Sequence, residues 1–324
     1  AENESSKQIG VGAVTVHNAL SELSREAVIH RRQGSGTYVG PTPSSVRQKT
    51  MCLVLPGTGL DRRDINPDYW PHVQSVLRAF LVAGGEDWTF TTCAAPSTLS
   101  PRDAGETFSR YDVVFFYFAM PTMDLARLLI RENIAPVVRM GLPIDDVPCL
   151  SIDHDPVAGV RRGVDRLCEL GYERIGFIGS TRHWGDFAFG GYCAALAERG
   201  QRLDERRVVR VGEDRRAGAA GADQMLERGL PCDAVYVDSD IRALGAVEQF
   251  RRAGVEIPND LGMMGYYGLD HAVDCPPHLS SVRVPYETLI AEALARISAP
   301  GRRPTPVEHL SRVGEVVLGD TTRP

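Results

Sequence analysis

A short basic segment near the amino terminus has the residue types that bind a polyanion. In RRQGSGTYV, Arg31 and Arg32 precede a Gly-Ser-Gly turn and a Thr-Tyr-Val run. Two short runs on either side of glycines predict a β-hairpin, since glycine adopts the positive φ of a tight turn. Guanidinium groups on such a hairpin can donate to phosphate oxygens. The segment therefore predicts a hairpin that contacts nucleic acid, and a solvated hairpin without that role is the simpler alternative.

The residues before this hairpin have the spacing of an amphipathic helix. Apolar residues recur with a helical period over about residues 12–25, after a Gly-Val-Gly turn and a shorter polar stretch. A helix, a turn and a second helix followed by a hairpin can place one helix in the major groove and the hairpin on phosphates. The expected DNA contacts are Thr15, His17, Asn18, Arg31, Arg32, Gln33, Gly34, Ser35, Gly36 and Thr37.

The charge of the 324-residue chain is unevenly distributed. The net charge is -6, but residues 1–50 contain six basic and four acidic residues, which leaves 30 basic and 38 acidic residues for the remainder. A weakly basic head on an acidic body is compatible with a head that meets DNA. The Pro- and Ser-rich segment over residues 41–50 has no apolar period and predicts a linker between a head over residues 1–40 and a body over residues 51–324.

The body alternates apolar strands with amphipathic helices. Runs such as MCLVL, VVFFY, PVVRM, IGFIG, AVYV and GMMGY predict buried parallel strands, and helical stretches lie between them. This order predicts an α/β body with parallel sheets. Because about 270 residues is long for one sheet, we expect two lobes, with chain crossings near residues 150, 280 and 312.

The composition gives no indication of export, membrane insertion or a disulfide framework. No apolar run approaches the length of a membrane-spanning helix, and the first residues lack the apolar core of a secretory signal. The seven cysteines contain no C-x-x-C pair, so we expect reduced, mostly buried thiols in a cytoplasmic protein. We expect no cofactor and no metal site.

Longer motifs carry a family resemblance. TVHNALSELSREAVIHRRQGSGTYV resembles the GntR-type winged helix, although Gly12-Ala13 and His17-Asn18 replace basic or polar pairs of that pattern. SIDHDPVAGVRRGVDRLCELGYERIGFIGS, DAVYVDSDIRALGAVEQFRRAGVEIPNDLGMMGYYGLD, PPHLSSVRVPYETL and EVVLGDTTRP resemble the LacI-type effector domain. The resemblance implies a winged helix-turn-helix head on a two-lobed, periplasmic-binding-protein-like body. The first helix of such a head would precede residue 1, so we expect the head in this sequence to be incomplete.

A ligand of such a body would sit between the lobes, beyond the carboxyl ends of the strands. The loops there offer aromatic faces that pack on sugar rings and polar groups that bind hydroxyls. In this sequence we expect Asp240 to cap the following helix, with contact to the ligand as the alternative. The effector-binding candidates are Asp61, Tyr69, Trp70, Arg139, Trp184, Phe189, Ser239, Asp240 and Tyr267.

Three positions depart from the sugar site that the resemblance implies. Ala188 replaces an arginine, and Tyr267 and Gly141 replace aspartates. Their loss removes strong hydroxyl-binding groups. A less polar ligand, a ligand held by Arg139 and aromatic rings, and a body without a ligand therefore remain open.

These observations favour a DNA-binding transcription regulator of the kind in which a GntR-type head is fused to a LacI-type body, as in the arabinose-responsive regulators. We expect a homodimeric repressor that binds operator DNA and a small, possibly carbohydrate, effector. The alternative is a solute receptor without DNA function. An enzyme is disfavoured because the sequence has no G-x-S-x-G, G-x-G-x-x-G or Walker motif, and we expect no catalytic residue.

Overall fold

The amino-terminal unit contains a helix and a two-stranded hairpin. The computed structural model describes residues 13–25, 29–32, 36–39, 48–55, 70–94, 99–117, 123–274, 276–299 and 308–324, and the chain forms two compact units over residues 1–49 and 50–324. In the first unit, α1 spans Ala13–Arg25, and β1 (Ile29–Arg32) pairs antiparallel with β2 (Gly36–Val39). The predicted helix and hairpin are confirmed.

The second strand of the hairpin begins at the predicted residue. Gly36, which was predicted to close the turn and to begin that strand, is the first residue of β2, where it is paired with Arg32, while Arg31 is paired with Thr37. Gln33, Gly34 and Ser35 lie outside the described residues.

The second unit alternates strands and helices along its length. Its first elements are β3 (Lys49–Leu55), α2 (Trp70–Gly84), β4 (Trp88–Ala94), α3 (Pro101–Phe108), β5 (Val113–Tyr117), α4 (Met123–Arg131), β6 (Val137–Met140) and β7 (Leu150–His154). Next come α5 (Pro156–Glu169), β8 (Ile175–Ser180), α6 (His183–Glu198), β9 (Val208–Val211), α7 (Arg215–Glu227), β10 (Ala234–Val237), α8 (Asp240–Arg252) and β11 (Gly262–Tyr267). The last are α9 (Asp270–Val273), β12 (Ser280–Arg283), α10 (Tyr286–Ser298), β13 (Glu308–Arg312) and β14 (Glu315–Val317).

The strands form two six-stranded sheets, one in each lobe. The first-lobe sheet has the order β13-β7-β6-β5-β3-β4, and the second-lobe sheet has the order β14-β12-β11-β10-β8-β9. The chain thus passes between the sheets after β7, between β12 and β13, and between β13 and β14. The α/β architecture with two parallel-dominated sheets is confirmed, with one correction, because β14 pairs antiparallel with β12.

Buried strands and capped helices explain why these residues adopt these elements. The strand residues of MCLVL and VVFF are fully or almost fully buried, which fits apolar runs covered by helices on both faces. Ser100, Asp155 and Asp214 each precede a helix and accept a hydrogen bond from a first-turn backbone N–H. One apolar core extends through both lobes, and each lobe has a second core on the opposite face of its sheet.

Candidate functional site

The carboxyl ends of strands β7 and β11 meet across the two lobes. The ring of His154, the last residue of β7, lies with its centroid 5.5 Å from that of Tyr266 and 5.7 Å from that of Tyr267. Tyr266 and Tyr267 end β11 and contact each other at 5.0 Å between centroids. A ligand that binds beyond the carboxyl ends of both sheets would therefore meet this group of rings.

His72, in the first turn of α2, joins this group from the first lobe. Its ring makes an edge contact with Tyr267 at 4.7 Å between centroids, and its Nε2 lies 3.3 Å from the Tyr286 hydroxyl. Burial, with a smaller contribution from the charge of His154, lowers the pKa of His72 to about 3. The imidazole is therefore neutral near pH 7 and can accept one hydrogen bond while donating another.

Tyr267 has an unusual backbone for a residue with a side chain. Its φ is +97°, in the region that favours glycine, and its carbonyl accepts a hydrogen bond from Val284 N at 3.1 Å. Such a conformation costs on the order of 1–3 kcal/mol and persists where the surrounding packing holds it. Here the packing comes from His72 and His154, so Tyr267 is a half-buried contact between the lobes.

Two buried nitrogens of the Arg139 guanidinium lack hydrogen-bond partners among the described residues. Arg139 lies on β6 and packs over Gly141, where a Cβ would lie 3.3 Å from either terminal nitrogen. Burial lowers the pKa of Arg139, and the charges of Cys149 and Asp153 act against that shift. Within the described part of the chain, its Nε and Nη1 are buried and find no acceptor. Unpaired buried donors of this kind are expensive unless a ligand or water satisfies them.

Two further polar atoms near the lobe contact lack partners among the described residues. The Tyr266 hydroxyl is buried without a hydrogen bond. His154 Nδ1 lies 3.1 Å from Asp153 Oδ1 without forming a hydrogen bond to it, and the same oxygen accepts the backbone N–H of His154 at 2.8 Å. The site thus presents a guanidinium, an imidazole and a phenol with spare hydrogen-bonding capacity.

The carboxyl edge of the second-lobe sheet carries a buried ion pair. Asp238 Oδ1 accepts from Arg242 Nε at 2.8 Å, and Asp238 Oδ2 accepts from Ser180 N at 2.8 Å. Burial raises the pKa of Asp238, while the Arg242 guanidinium acts in the opposite direction. Through these bonds, Asp238 joins the start of α8 to the end of β8. Removing one partner of the ion pair would leave an uncompensated buried charge.

The prediction that Asp240 caps the following helix is wrong. Helix α8 begins at Asp240 itself, and Ser239 precedes it without a capping side-chain bond. The Asp240 carboxylate is fully buried and accepts from Leu269 N at 2.7 Å and from Ser281 Oγ at 2.6 Å. It therefore ties α8 to the segments after β11 and in β12, and burial raises its pKa to about 7. Ser239 is also buried.

Trp184 and Phe189 were expected in a loop, but both belong to α6. Trp184 is 40% exposed in the first turn, with the Arg182 guanidinium 5.6 Å from its ring centroid. Phe189 is half-buried against Phe177, and Arg210 lies over its other side. Trp70 begins α2 and is half-buried, whereas Asp61 and Tyr69 lie outside the described residues.

Several residues of this region were not among the predicted site residues. His72, Asp153, His154 and Tyr286 occupy helix and strand positions, and only the long-range pairing of elements brings them together. Asp153 and His154 could have been predicted as well, because the sequence IDHD ends a strand and a ligand is expected beyond the carboxyl ends of the strands. Arg182, Arg210 and Arg242 needed the side-chain geometry of the second lobe.

The described part of the amino-terminal head exposes two of the predicted DNA contacts. Thr15 and Asn18 are both exposed on α1, and Arg31, Arg32, Gly36 and Thr37 lie on the paired strands β1 and β2. His17 lies in the same helix. Exposed hydrogen-bonding groups on one helix beside a hairpin are the arrangement that a groove-reading head requires.

Two segments of the chain, one in the head and one in the body, match models of known protein families. Residues 1–39 match the family model described as bacterial regulatory proteins, gntR family. Residues 164–322 match the periplasmic binding protein-like domain. The two matches cover the head and the second half of the body, which are the two segments whose motifs carried the resemblance.

Individual relatives agree with these matches. The chain is 29% identical over 168 residues to the HTH-type transcriptional repressor CytR of Escherichia coli K12, covering 51% of this chain and 49% of that protein. It is 31% identical over 160 residues to the HTH-type transcriptional regulator CelR of Thermobifida fusca, covering 49% and 46%. The aligned region thus spans about half the length of the curated relatives. These relatives are regulators by name rather than enzymes.

A solved structure shares the fold over almost the whole chain. The transcriptional regulator CelR–cellobiose complex superposes with a TM-score of 0.62 and 23% identity, covering 95% of this chain and 90% of the other. At this identity the likeness establishes the two-lobed fold alone.

The described residues contain neither a metal-binding cluster nor a membrane-spanning helix. No group of three or more His, Cys, Asp or Glu side chains among them is arranged to hold a metal ion. None of the helices in these segments is long and apolar enough to cross a bilayer.

Proposed function

We propose that this protein is a sequence-specific transcription regulator, acting as a repressor, whose DNA binding is controlled by a small molecule held between the two lobes. The observation that carries the proposal is the combination of a helix-and-hairpin head with a body whose lobes meet at His72, His154 and Tyr267. A head of this kind supplies contact with DNA. A two-lobed body supplies a site whose closure can be coupled to it.

On DNA, the helix and the hairpin have different roles. Asn18 can donate and accept in a bidentate contact with adenine, and Thr15 can bind a phosphate oxygen. Arg31 and Arg32 bind phosphates from the hairpin, while His17, Gln33, Gly34, Ser35, Gly36 and Thr37 complete the contact surface. The contribution of the arginines is electrostatic, so it weakens as salt rises.

The groups at the candidate site suit an effector that is a ring-shaped polyol, such as a sugar. Aromatic faces at Tyr267 and Trp184 can pack on a sugar ring, and Arg139, His154 and Tyr266 have spare hydrogen-bonding capacity for hydroxyl groups. The remaining candidates are Asp61, Tyr69, Trp70, Phe189, Ser239 and Asp240. The fold relative with bound cellobiose and the resemblance to arabinose-responsive regulators make cellobiose and arabinose the first ligands to test.

Control of DNA binding follows from the lobe contact. Tyr267 from the second lobe touches His72 of the first, and Arg78 Nη1 on α2 contacts Asp270 Oδ2 on α9 at 2.8 Å. A ligand that inserts between these groups changes the angle between the lobes. In a cytoplasmic homodimer, that change alters the spacing of two heads on a two-fold operator. No catalytic step is needed.

The DNA-binding half is tested with labelled DNA from upstream of the gene. Fluorescence anisotropy of the full-length gene product is measured at two salt concentrations against scrambled DNA. We expect tight binding to the native DNA alone, and weaker binding by Asn18→Ala. Arg31→Ala should weaken binding to every DNA sequence alike. It should also reduce the slope of log K against log salt concentration by about one, the value for one phosphate contact. Absence of binding to any DNA would favour the solute receptor, and equal binding to both would exclude sequence readout.

The ligand-binding half is tested by calorimetric titration with arabinose and cellobiose. We expect one of these sugars, or a related polyol, to bind with an affinity that Arg139→Ala lowers at least tenfold, since two unpaired donors are lost. The control is Arg131→Ala, because Arg131 pairs with Glu132 on the surface of α4. Equal affinities for both variants would place the ligand away from Arg139.

A further inference from the structure

Two cysteines of the first lobe lie with their sulfur atoms in contact. Cys52 is in β3 and Cys93 is in β4, which are neighbours in the sheet, and their Sγ atoms are 3.1 Å apart. Forty-one positions separate them along the chain, so no C-x-x-C spacing identifies the pair. The pairing of an edge strand with its neighbour is what brings the two thiols together.

The two thiols have opposite surroundings. Cys52 is fully buried in the apolar core between the sheet and helices α3 and α4, whereas Cys93 is partly exposed at the edge. The two thiols are hydrogen-bonded to each other, and this contact, assisted by the charge of Arg110, lowers the pKa of Cys93. The same hydrogen bond and burial raise the pKa of Cys52. The pair thus combines a partly exposed thiol, whose lowered pKa favours ionisation, with a buried thiol beside it.

The other described cysteines differ from Cys93. Burial raises the pKa of Cys149 to about 11 and that of Cys232 to about 12. Burial also raises the pKa values of Cys168 and Cys193. Of the six cysteines that the structure describes, Cys93 alone has a lowered pKa and a second sulfur in contact.

We propose that Cys52 and Cys93 form a reversible disulfide when the protein meets a hydroperoxide. The Cys93 thiolate attacks the terminal peroxide oxygen and the O–O bond breaks, so that Cys93 becomes a sulfenic acid, while the departing hydroxide or alkoxide takes a proton from solvent and leaves as water or an alcohol. The Cys52 sulfur then attacks the Cys93 sulfur, its proton goes to the departing hydroxide, and water leaves. The two thiols supply the two electrons that reduce the peroxide, and an external dithiol reverses the reaction.

The location of the bond gives it a structural consequence. Strand β4 is the edge of the first-lobe sheet and has β3 as its single neighbour, so the disulfide would fasten the edge strand to the sheet interior. The reaction is independent of the proposed regulator function, because it needs neither DNA nor a ligand.

The test uses the folded full chain and hydrogen peroxide. After treatment with a small molar excess, free thiols are alkylated under denaturing conditions, and peptides are analysed by mass spectrometry without reduction. We expect a cross-linked peptide that contains Cys52 and Cys93, lighter by two hydrogens than the two peptides together, and dithiothreitol should restore both alkylated cysteines. Recovery of both cysteines in alkylated form, or of Cys93 as a sulfinic acid without a cross-link, would overturn the proposal.

Three variants separate the two roles. In Cys52→Ala, Cys93 should accumulate as a sulfenic acid that dimedone traps, because the neighbouring sulfur that would attack it is removed. Cys93→Ser should leave Cys52 unoxidised under the same conditions. Cys149→Ser is the matched control, since Cys149 is buried in the same lobe and should leave the cross-link unchanged. Circular dichroism checks that each variant is folded, and if Cys52→Ala is not, the cross-link in wild type and Cys149→Ser still decides the outcome.

Discussion

At the scale of single residues, Asp240 couples folding to pH. Its pKa rises from 3.8 to about 7 because it is buried. The folded state therefore holds a proton that the unfolded state releases, so the stabilisation is complete below about pH 3.8 and is lost as the pH rises through about 7. In that window the contribution of Asp240 to the free energy of unfolding should fall by about 1.4 kcal/mol per pH unit.

Asp240→Asn should remove this fall. Urea unfolding at several pH values between about 4 and 7 measures the free energy of unfolding. Its slope against pH reports the proton that Asp240 holds in the folded state and releases on unfolding. Asp223→Asn is the control, since Asp223 is exposed and bonds to Gln249. Identical pH profiles for wild type and Asp240→Asn would show that the carboxylate is ionised in the folded protein.

His72 contributes a slope of the opposite sign. Its pKa falls from 6.5 to about 3, so the unfolded state takes up the proton first and stability declines as the pH drops from about 6.5 to about 3. His72→Gln should remove this acid-side decline in urea unfolding, whereas exposed His309→Gln should leave it in place. A pH dependence of stability in His72→Gln that matches wild type would mean that His72 is protonated in the folded state.

At the scale of elements, long apolar runs were predictable from the sequence and short or mixed strands were not. MCLVL and VVFFY are apolar throughout because helices cover both faces of their sheet. Strand β4, WTFTTCA, alternates with polar residues because it lies at an edge, and β9 and β13 are short edge strands. The contacts of Cys52 with Cys93 and of His72 with Tyr267 depend on pairing between distant segments, which periodicity within a segment does not contain.

Helix α5 approaches the second-lobe sheet closely enough to require glycine. A Cβ on Gly163 would lie 2.9 Å from Val282 Cγ2 and would also meet Tyr236, both in buried strands. We expect Gly163→Ala to destabilise the protein by about 1–3 kcal/mol through overpacking. Gly190→Ala on α6 meets no atom within 4 Å and should be neutral or stabilising by up to about 1 kcal/mol. Thermal unfolding of both variants compares them, and equal midpoints would show that α5 can move away from the sheet.

At the scale of the whole molecule, Tyr267 holds the lobes together. Glycine at this position would relieve the backbone strain but remove the ring contacts with His72 and His154. We expect Tyr267→Gly to open the lobes of the ligand-free body, which small-angle X-ray scattering would record as a larger radius of gyration. Tyr111→Phe, in the first lobe and away from this contact, is the control. An unchanged radius of gyration in Tyr267→Gly would mean that other contacts, such as Arg78 with Asp270, suffice.

The three passages of the chain between the sheets determine when each lobe can be completed during synthesis. Strand β13 pairs with β7, and α10 packs on α2, although these partners are more than 150 residues apart. The other strands of the first lobe are synthesised early. One edge of β7 therefore remains unpaired during synthesis until β13 has emerged from the ribosome. An exposed edge of this kind can pair with another chain. A nascent polypeptide stalled before residue 308 should accordingly depend on chaperones that shield strand edges, whereas one in which residue 324 has also emerged should not.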